Sequence, residues 1–314
     1  MPQIPVLHYQ AVLDAVSPVG AIDATRQAFL RHHAGEWFMP PKVYLENPPF
    51  GDFRAMPALG GGLAVLKWVT SFPGNHGTAH PTVTGVVCVS DARTGETLLI
   101  LDARAVTALR TGAAAAVASA ALTAPGGGVG IIGCGVHGTW AARCLHAAGF
   151  GPGVCSDPDP DATHRLAEEL SWSVGPLVEA RDQAVVCCVT PGRQPVIDTA
   201  DLRPGQHFNM LGADGPGKAE ATVDAVLACH LFCDEWEQAS HGGELAGACA
   251  AGRLDRDGVI DLGAVLAGEQ GGRTGPDDIT MFDSTGLAIQ DLGIAHAALA
   301  AWRDGRVEAQ TIDL

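Results

Sequence analysis

Two stretches of this chain hold residue types whose chemistry stands out. The first is AVLKWV at 64–69, where Lys67 sits inside an apolar run. Alternate residues of a strand face opposite sides, so Lys67 either points to water beside an apolar sheet or lines a closed site. A lysine stripped of part of its hydration shifts its pKa readily and serves as a catalytic or anion-binding group. The second is GIIGCGVHG at 130–138, which places Gly133, Gly135 and Gly138 in a G-x-G-x-x-G pattern. Behind a strand and ahead of a helix, the first glycine makes a tight turn. The second lets backbone approach a pyrophosphate at the positive end of the helix, and the third packs helix on strand. The alternative is a glycine-rich turn without a ligand. His137, inside the loop, contacts phosphate or only caps.

Asp157 ends the next strand-like run, at the distance where an acid binds the ribose hydroxyls of NAD and repels a 2′-phosphate. No arginine stands beside it; Pro158, Asp159 and Pro160 follow. NAD is therefore expected over NADP. Capping the next helix is the other role open to Asp157.

The elements that position these residues follow from the pattern. AIDATRQAFLRHHA reads as a helix; FRAMP, LAVLKWVTS, TVTGVVCVS and ETLLILD read as strands; AVTALRTGAAAAVASAALTA is an alanine-rich helix. PGGG at 125–128 marks a boundary. Beyond it, strands such as GVGIIGCG, GPGVCSD, QAVVCCVT, QHFNMLGAD and HLFCDEW alternate with helices, which predicts a parallel sheet covered on both faces. The last helix, TGLAIQDLGIAHAALAAW, reads as amphipathic and able to return to the first domain.

The chain has 314 residues, 47% of them hydrophobic, enough for one large or two ordinary domains. A formal charge of −16 argues against nucleic acid and anionic membrane as partners. The sequence shows neither a transmembrane run nor a signal peptide. Nine cysteines, an odd number and without a CxxC pair, suit a reducing, cytoplasmic setting. Cys229, His230 and Cys233 are read as structural, so no metal is expected.

MPPKVYLE (39–46), GDFRAMPA (51–58), LKWV (66–69), LRTGAA (109–114), GCG (133–135), GADGPGK (212–218), HGGE (241–244) and FDSTGLAIQD (282–291) together resemble the ornithine cyclodeaminase/mu-crystallin family. Within it, GDFR and FDSTGLAIQD look like the archaeal-type alanine dehydrogenases. The resemblance implies an α/β protein, a homodimer, in two parts. A Rossmann-type NAD-binding domain covers 125–287. An α+β substrate and dimerisation domain covers 1–124, completed by the C-terminal helix in 288–314.

It implies that Lys67 sits against the substrate's carbonyl or amine, that Arg54 or Arg110 holds its carboxylate, and that Thr82 reaches substrate or cofactor. It places Asp214 beside the nicotinamide, with Ser284 and Gly286 approaching the same end. Further cofactor contacts fall at Gly133, Gly135, Val136, His137, Gly138, Asp157, Thr190 and Gly212. Two stretches depart from the family pattern near the substrate. His80 replaces an apolar residue in AHPT, and Thr70 and Phe72 stand where relatives often carry Asn and His.

This set suits a small 2-oxo acid. A guanidinium fork binds its carboxylate, Lys67 polarises the ketone or the imine formed with ammonia or an amine, and Asp214 stabilises an iminium and shuttles its proton. The nicotinamide carries the hydride. The expected activity interconverts a small L-amino acid, alanine-like, with its 2-oxo acid and ammonia. The competing activities are cyclodeamination of ornithine or lysine with catalytic NAD, and reduction of a cyclic imine or iminosuccinate. A binding protein that kept fold and cofactor without turnover is the remaining alternative. As open alternatives, Asp214 is a turn residue before Gly215, Arg110 and Arg54 are surface charges, and Lys218 and His241 belong to loops.

Overall fold

A computed structural model describes residues 3–313 apart from His76, Pro125, Arg193 and Pro216. The chain divides into two compact units, Met1–Arg110 with Leu287–Leu314, and Thr111–Gly286. The division falls inside a helix, not at the expected glycine cluster, whose Pro125 lies outside the described residues. The reason is packing: the second half of that helix belongs to the second unit. A Cβ on Gly112 would stand 2.3 Å from the Trp140 carbonyl oxygen, and Asn209 donates to Ser119 Oγ at 2.9 Å.

The first unit runs β1 (Gln3–Leu7), α1 (Tyr9–Ala15), α2 (Pro18–His33), β2 (Val43–Asn47), β3 (Gly51–Gly60), β4 (Leu63–Ser71), β5 (Val83–Asp91), β6 (Thr97–Asp102) and the start of α3 (Ala103–Leu122). Ser17 Oγ caps α2 by accepting from Gly20 N, Pro18 fills its first position, and Arg31, His32 and His33 face its negative end. The strands form a sheet ordered β15-β1-β6-β5-β4-β3-β2, where β15 is Gln310–Asp313. Along β4 the pleat buries Leu63, Val65, Lys67 and Val69 and turns Leu66 and Trp68 outward. Lysine thus sits on the core face and tryptophan on the open one.

α11 (Ala288–Arg303) packs on α2, β3 and β4. It is not the amphipathic helix expected: every residue from Ala288 to Ala295 is buried, Gln290 and Asp291 included, because neighbours cover it on several sides.

In the second unit follow β7 (Val129–Ile132), α4 (Val136–Ala147), β8 (Gly153–Ser156), α5 (Pro160–Leu170), β9 (Ser173–Val174), α6 (Leu177–Arg181), β10 (Val185–Cys188), β11 (His207–Met210), α7 (Val223–Leu227), β12 (His230–Cys233), α8 (Trp236–Gly242), α9 (Ala246–Ala250), β13 (Val259–Asp261), α10 (Leu262–Leu266) and β14 (Thr280–Asp283). The sheet order is β13-β12-β14-β11-β10-β7-β8-β9, with every described pairing parallel. The chain steps from β7 to β8 in one direction and to β10 in the other. Ligands bind such sheets at that switch point, beyond the carboxyl ends of the strands. α3 is long and apolar enough to cross a membrane by composition, and 83% of that stretch is buried inside the protein, as befits a core helix.

Candidate active site

Lys67 projects from the inner face of β4 and is 1% exposed. Its Nζ donates to Asp291 Oδ1 at 2.8 Å, stands 2.7 Å from Oδ2, and reaches Thr107 Oγ1 at 3.4 Å. Asp291, fully buried, lies in the first turn of α11, where the helix dipole favours an anion. Burial pulls the Lys67 ammonium down to about 8 against the attraction of Asp291, and Arg110 and Arg54 add repulsion. An ammonium has three hydrogens; with Asp291 and Thr107 taking two, one remains to donate.

Arg110 lies one turn beyond Thr107 on α3, on the same side of the helix. Its Nε is 3.8 Å from Asp291 Oδ1 and is buried without a hydrogen bond among the described residues. A buried, unmet guanidinium N–H is costly to leave so, and it is suited to an incoming carboxylate. Arg54 is engaged differently. Its Nε and Nη2 grip Asp52 at 2.6 and 3.2 Å, and its guanidinium lies over the Tyr44 ring. Arg54 shares the inner face with Lys67, one pleat along β3, since Met56 pairs with Lys67 and Arg54 with Val69. Thr82 is half-buried just before β5, its carbonyl accepting from Phe72 N at 2.7 Å. His80 and Thr70 lie near this strand end, with His80 N bound to Thr78 Oγ1.

The glycine loop joins β7 to α4. Gly133 has φ +98°, and a Cβ there would stand 2.5 Å from the Val189 carbonyl oxygen. At Gly138 a Cβ would fall on the Gly133 carbonyl oxygen, so only glycine lets α4 approach β7. Gly135 caps α4 without a side-chain bond, has open space where a Cβ would be, and is followed by an exposed Val136 and a half-buried His137. The first-turn N–H groups of α4 thus face a space a phosphate can fill, and the cradle fits a dinucleotide.

Asp157 Oδ2 accepts from Cys134 N at 2.7 Å and Oδ1 from Asp159 N. Asp159, not Asp157, caps α5, through Asp161 N and Ala162 N. Asp157 is therefore joined to the glycine loop, as a ribose-binding acid would be.

Past the switch point, Thr190 follows β10 and Gly212 follows β11; the N–H groups of both donate to Glu220, at 2.6 and 2.7 Å. Asp214, half-buried beyond β11, pairs with Lys218 at 2.5 Å. Ser284 and Gly286 follow β14. Gly286 N donates to Asp234 Oδ2 at 2.8 Å and Thr285 Oγ1 to Oδ1 at 3.0 Å.

Asp291, Thr107, Glu220 and Asp234 were not singled out from the sequence. Thr107 and Glu220 carry no signal of their own, and Asp291 and Asp234 show only as an acid inside or beside an apolar stretch, as in GLAIQDLGI. Cys229, His230 and Cys233 go to separate partners: Ala225 O, Asp278 and Asp261.

Residues 6–306 match the ornithine cyclodeaminase/mu-crystallin family. An alanine dehydrogenase of Archaeoglobus fulgidus is 38% identical over 298 residues, 92% of each chain. Among solved structures, an archaeal alanine dehydrogenase dimer with bound NAD superposes with a TM-score of 0.94 at 35% identity, over 100% of both chains. The iminosuccinate reductase of Paracoccus denitrificans in complex with NAD+ gives 0.90 at 26% identity, again over 100% of both. The chain belongs to the ornithine cyclodeaminase/mu-crystallin family.

Proposed function

We propose that the protein is an NAD(H)-dependent oxidoreductase that interconverts a small, alanine-like L-amino acid with its 2-oxo acid and ammonia through an imine. The observation that carries this reading is Lys67, a buried ammonium brought toward neutral pKa, beside the unmet N–H of Arg110. NAD, when bound, supplies or accepts the hydride. The protein's residues do the rest. Arg110 binds the carboxylate and Arg54, held by Asp52, flanks it. Lys67 donates a hydrogen bond to the carbonyl oxygen as ammonia adds; that oxygen takes one proton from the added nitrogen, and Lys67 then protonates the resulting hydroxyl, which leaves as water. Asp291 keeps Lys67 in place and stabilises its charged form, and Thr107 fixes its direction. Asp214, with Lys218, takes up or returns a proton at the amine.

The glycine loop, Val136, His137 and Asp157 hold the pyrophosphate and adenosine ribose, while Thr190, Gly212, Ser284 and Gly286 line the nicotinamide side. A ribose-binding Asp157 favours NAD over NADP. Thr82 closes the substrate side.

The open face of the first sheet supports a homodimer. Leu66, Trp68 and Val86 are 44%, 36% and 47% exposed, with Trp68 paired to Val86 and stacked on Phe53. An apolar patch on a sheet face calls for cover. Nine free cysteines fit a reducing cytoplasm.

The test is NADH absorbance with a 2-oxo acid such as pyruvate plus ammonia. The reading expects one NADH consumed per amino acid formed. Conversion of ornithine to a cyclic product without net NADH change would replace it with cyclodeamination.

A further inference from the structure

Glu220 is fully buried, and among the described residues it forms no ion pair with a basic side chain. Its Oε1 accepts from Thr190 N at 2.6 Å and Thr190 Oγ1 at 2.8 Å; its Oε2 accepts from Gly212 N at 2.7 Å. One carboxylate therefore ties the loop after β10 to the loop after β11. The joint is tight. A Cβ on Gly212 would stand 2.2 Å from the Thr190 carbonyl oxygen and 2.6 Å from the Glu220 carboxyl.

Glu220 is itself anchored. Its own N–H and that of Ala221 donate to the buried Glu244 carboxylate at 2.6 to 3.0 Å. Burying a carboxylate without a cation is costly, and joining two loops requires only neutral groups. What an anion adds is acceptor strength for several N–H and O–H donors at once, and so a fixed geometry at these strand ends.

Those ends lie on the β10 and β11 side of the switch point, across from the glycine loop and Asp157. A dinucleotide on such a sheet lays one half on each side. We propose that Glu220 is the positioning residue for the nicotinamide half of the dinucleotide site, acting through Thr190 and the Gly212–Asp214 loop. The inference rests on the NAD reading above.

Equilibrium titration with two ligands tests it. ADP-ribose occupies the adenosine and pyrophosphate side alone; NADH occupies both. In Glu220→Gln the amide group presents hydrogens to N–H donors, and at least one accepted bond is lost. NADH affinity should fall about tenfold or more, the effect of losing one charged hydrogen bond, while ADP-ribose affinity stays within about twofold. Glu244→Gln, which loosens Glu220 from behind and leaves the Thr190 and Gly212 bonds present, should show the same split to a smaller degree; it decides the matter if Glu220→Gln does not fold. Equal losses for the two ligands, or no loss for either, would overturn the inference and leave the NAD reading standing. Failure of the unmodified protein to bind ADP-ribose or NADH would overturn the NAD reading and this inference with it.

Discussion

Lys67 Nζ and Asp291 Oδ1 stand 2.8 Å apart, the two residues 1% and 0% exposed, although 224 positions separate them in the chain. The contact ties the middle of the first sheet to the C-terminal helix. Removing one partner of such a pair strands the other's charge in the interior, at a cost of about 3–5 kcal/mol. Asp291→Asn should therefore lower stability by that order in urea unfolding. A Lys67→Met/Asp291→Leu double variant should recover most of the loss while remaining inactive. Equal stability of Asp291→Asn and the parent would mean the pair is not formed.

The same contact predicts a pH profile. If protonated Lys67 is the acid, kcat/KM for the 2-oxo acid should be level below a pH near 8 and fall above it, following a pKa lowered to about 8 chiefly by burial. Asp291→Asn withdraws the attraction that opposes burial, so the falling limb should move to lower pH. The stability sign is separate. The folded value lies below the 10.5 of a free lysine, so the folded chain binds fewer protons between about 8 and 10.5, and stability attributable to Lys67 rises with pH in that window. A limb unmoved by Asp291→Asn assigns it to another group.

Arg110 and Arg54 should not respond alike. Arg110→Leu removes the guanidinium with an unmet buried N–H and should cost about 1.5–3 kcal/mol, roughly tenfold to over a hundredfold in kcat/KM for the oxo acid. Arg54→Leu removes one already gripping Asp52 and should cost less. Steady-state KM values for oxo acid and NADH decide it; the effects belong to the oxo acid. A larger loss from Arg54→Leu would move the carboxylate site to Arg54.

Asp157 gives the cofactor prediction. The unmodified protein should prefer NADH to NADPH, and Asp157→Ser should weaken that preference, measured as the ratio of kcat/KM values. Because Asp157 also holds Cys134 N, NADH affinity itself should fall in the same variant. An NADPH preference in the parent would contradict the reading.

What the sequence made legible was mostly local. The glycine loop needs only a strand, three glycines and a helix within nine residues, and periodicity locates each. Asp157 was legible as an acid at a strand end, but its role was not: the neighbouring Asp159 could cap the helix equally well, and only the hydrogen bonds separate them. AVLKWV left Lys67 ambiguous because Leu66 and Trp68 are apolar as well, which hides the alternation; the outward face of that sheet is itself apolar. The role of Asp291 was hidden because its partner is distant in sequence and because GLAIQDLGI reads as one polar stripe on an otherwise ordinary helix. Glu220, whose donors are two backbone N–H groups and one threonine hydroxyl on two separate loops, leaves no spacing pattern to find.

The proposed mechanism stands on Lys67 acting on the reacting group. Steady-state kcat of Lys67→Ala, measured with a 2-oxo acid and ammonia alongside NADH fluorescence titration, tests it most directly. Both kcat and kcat/KM should fall while NADH binds as in the parent, and Lys67→Arg should not restore them, since a guanidinium differs in shape and does not release its proton. A Lys67→Ala protein with unchanged kcat would remove Lys67 from the reaction.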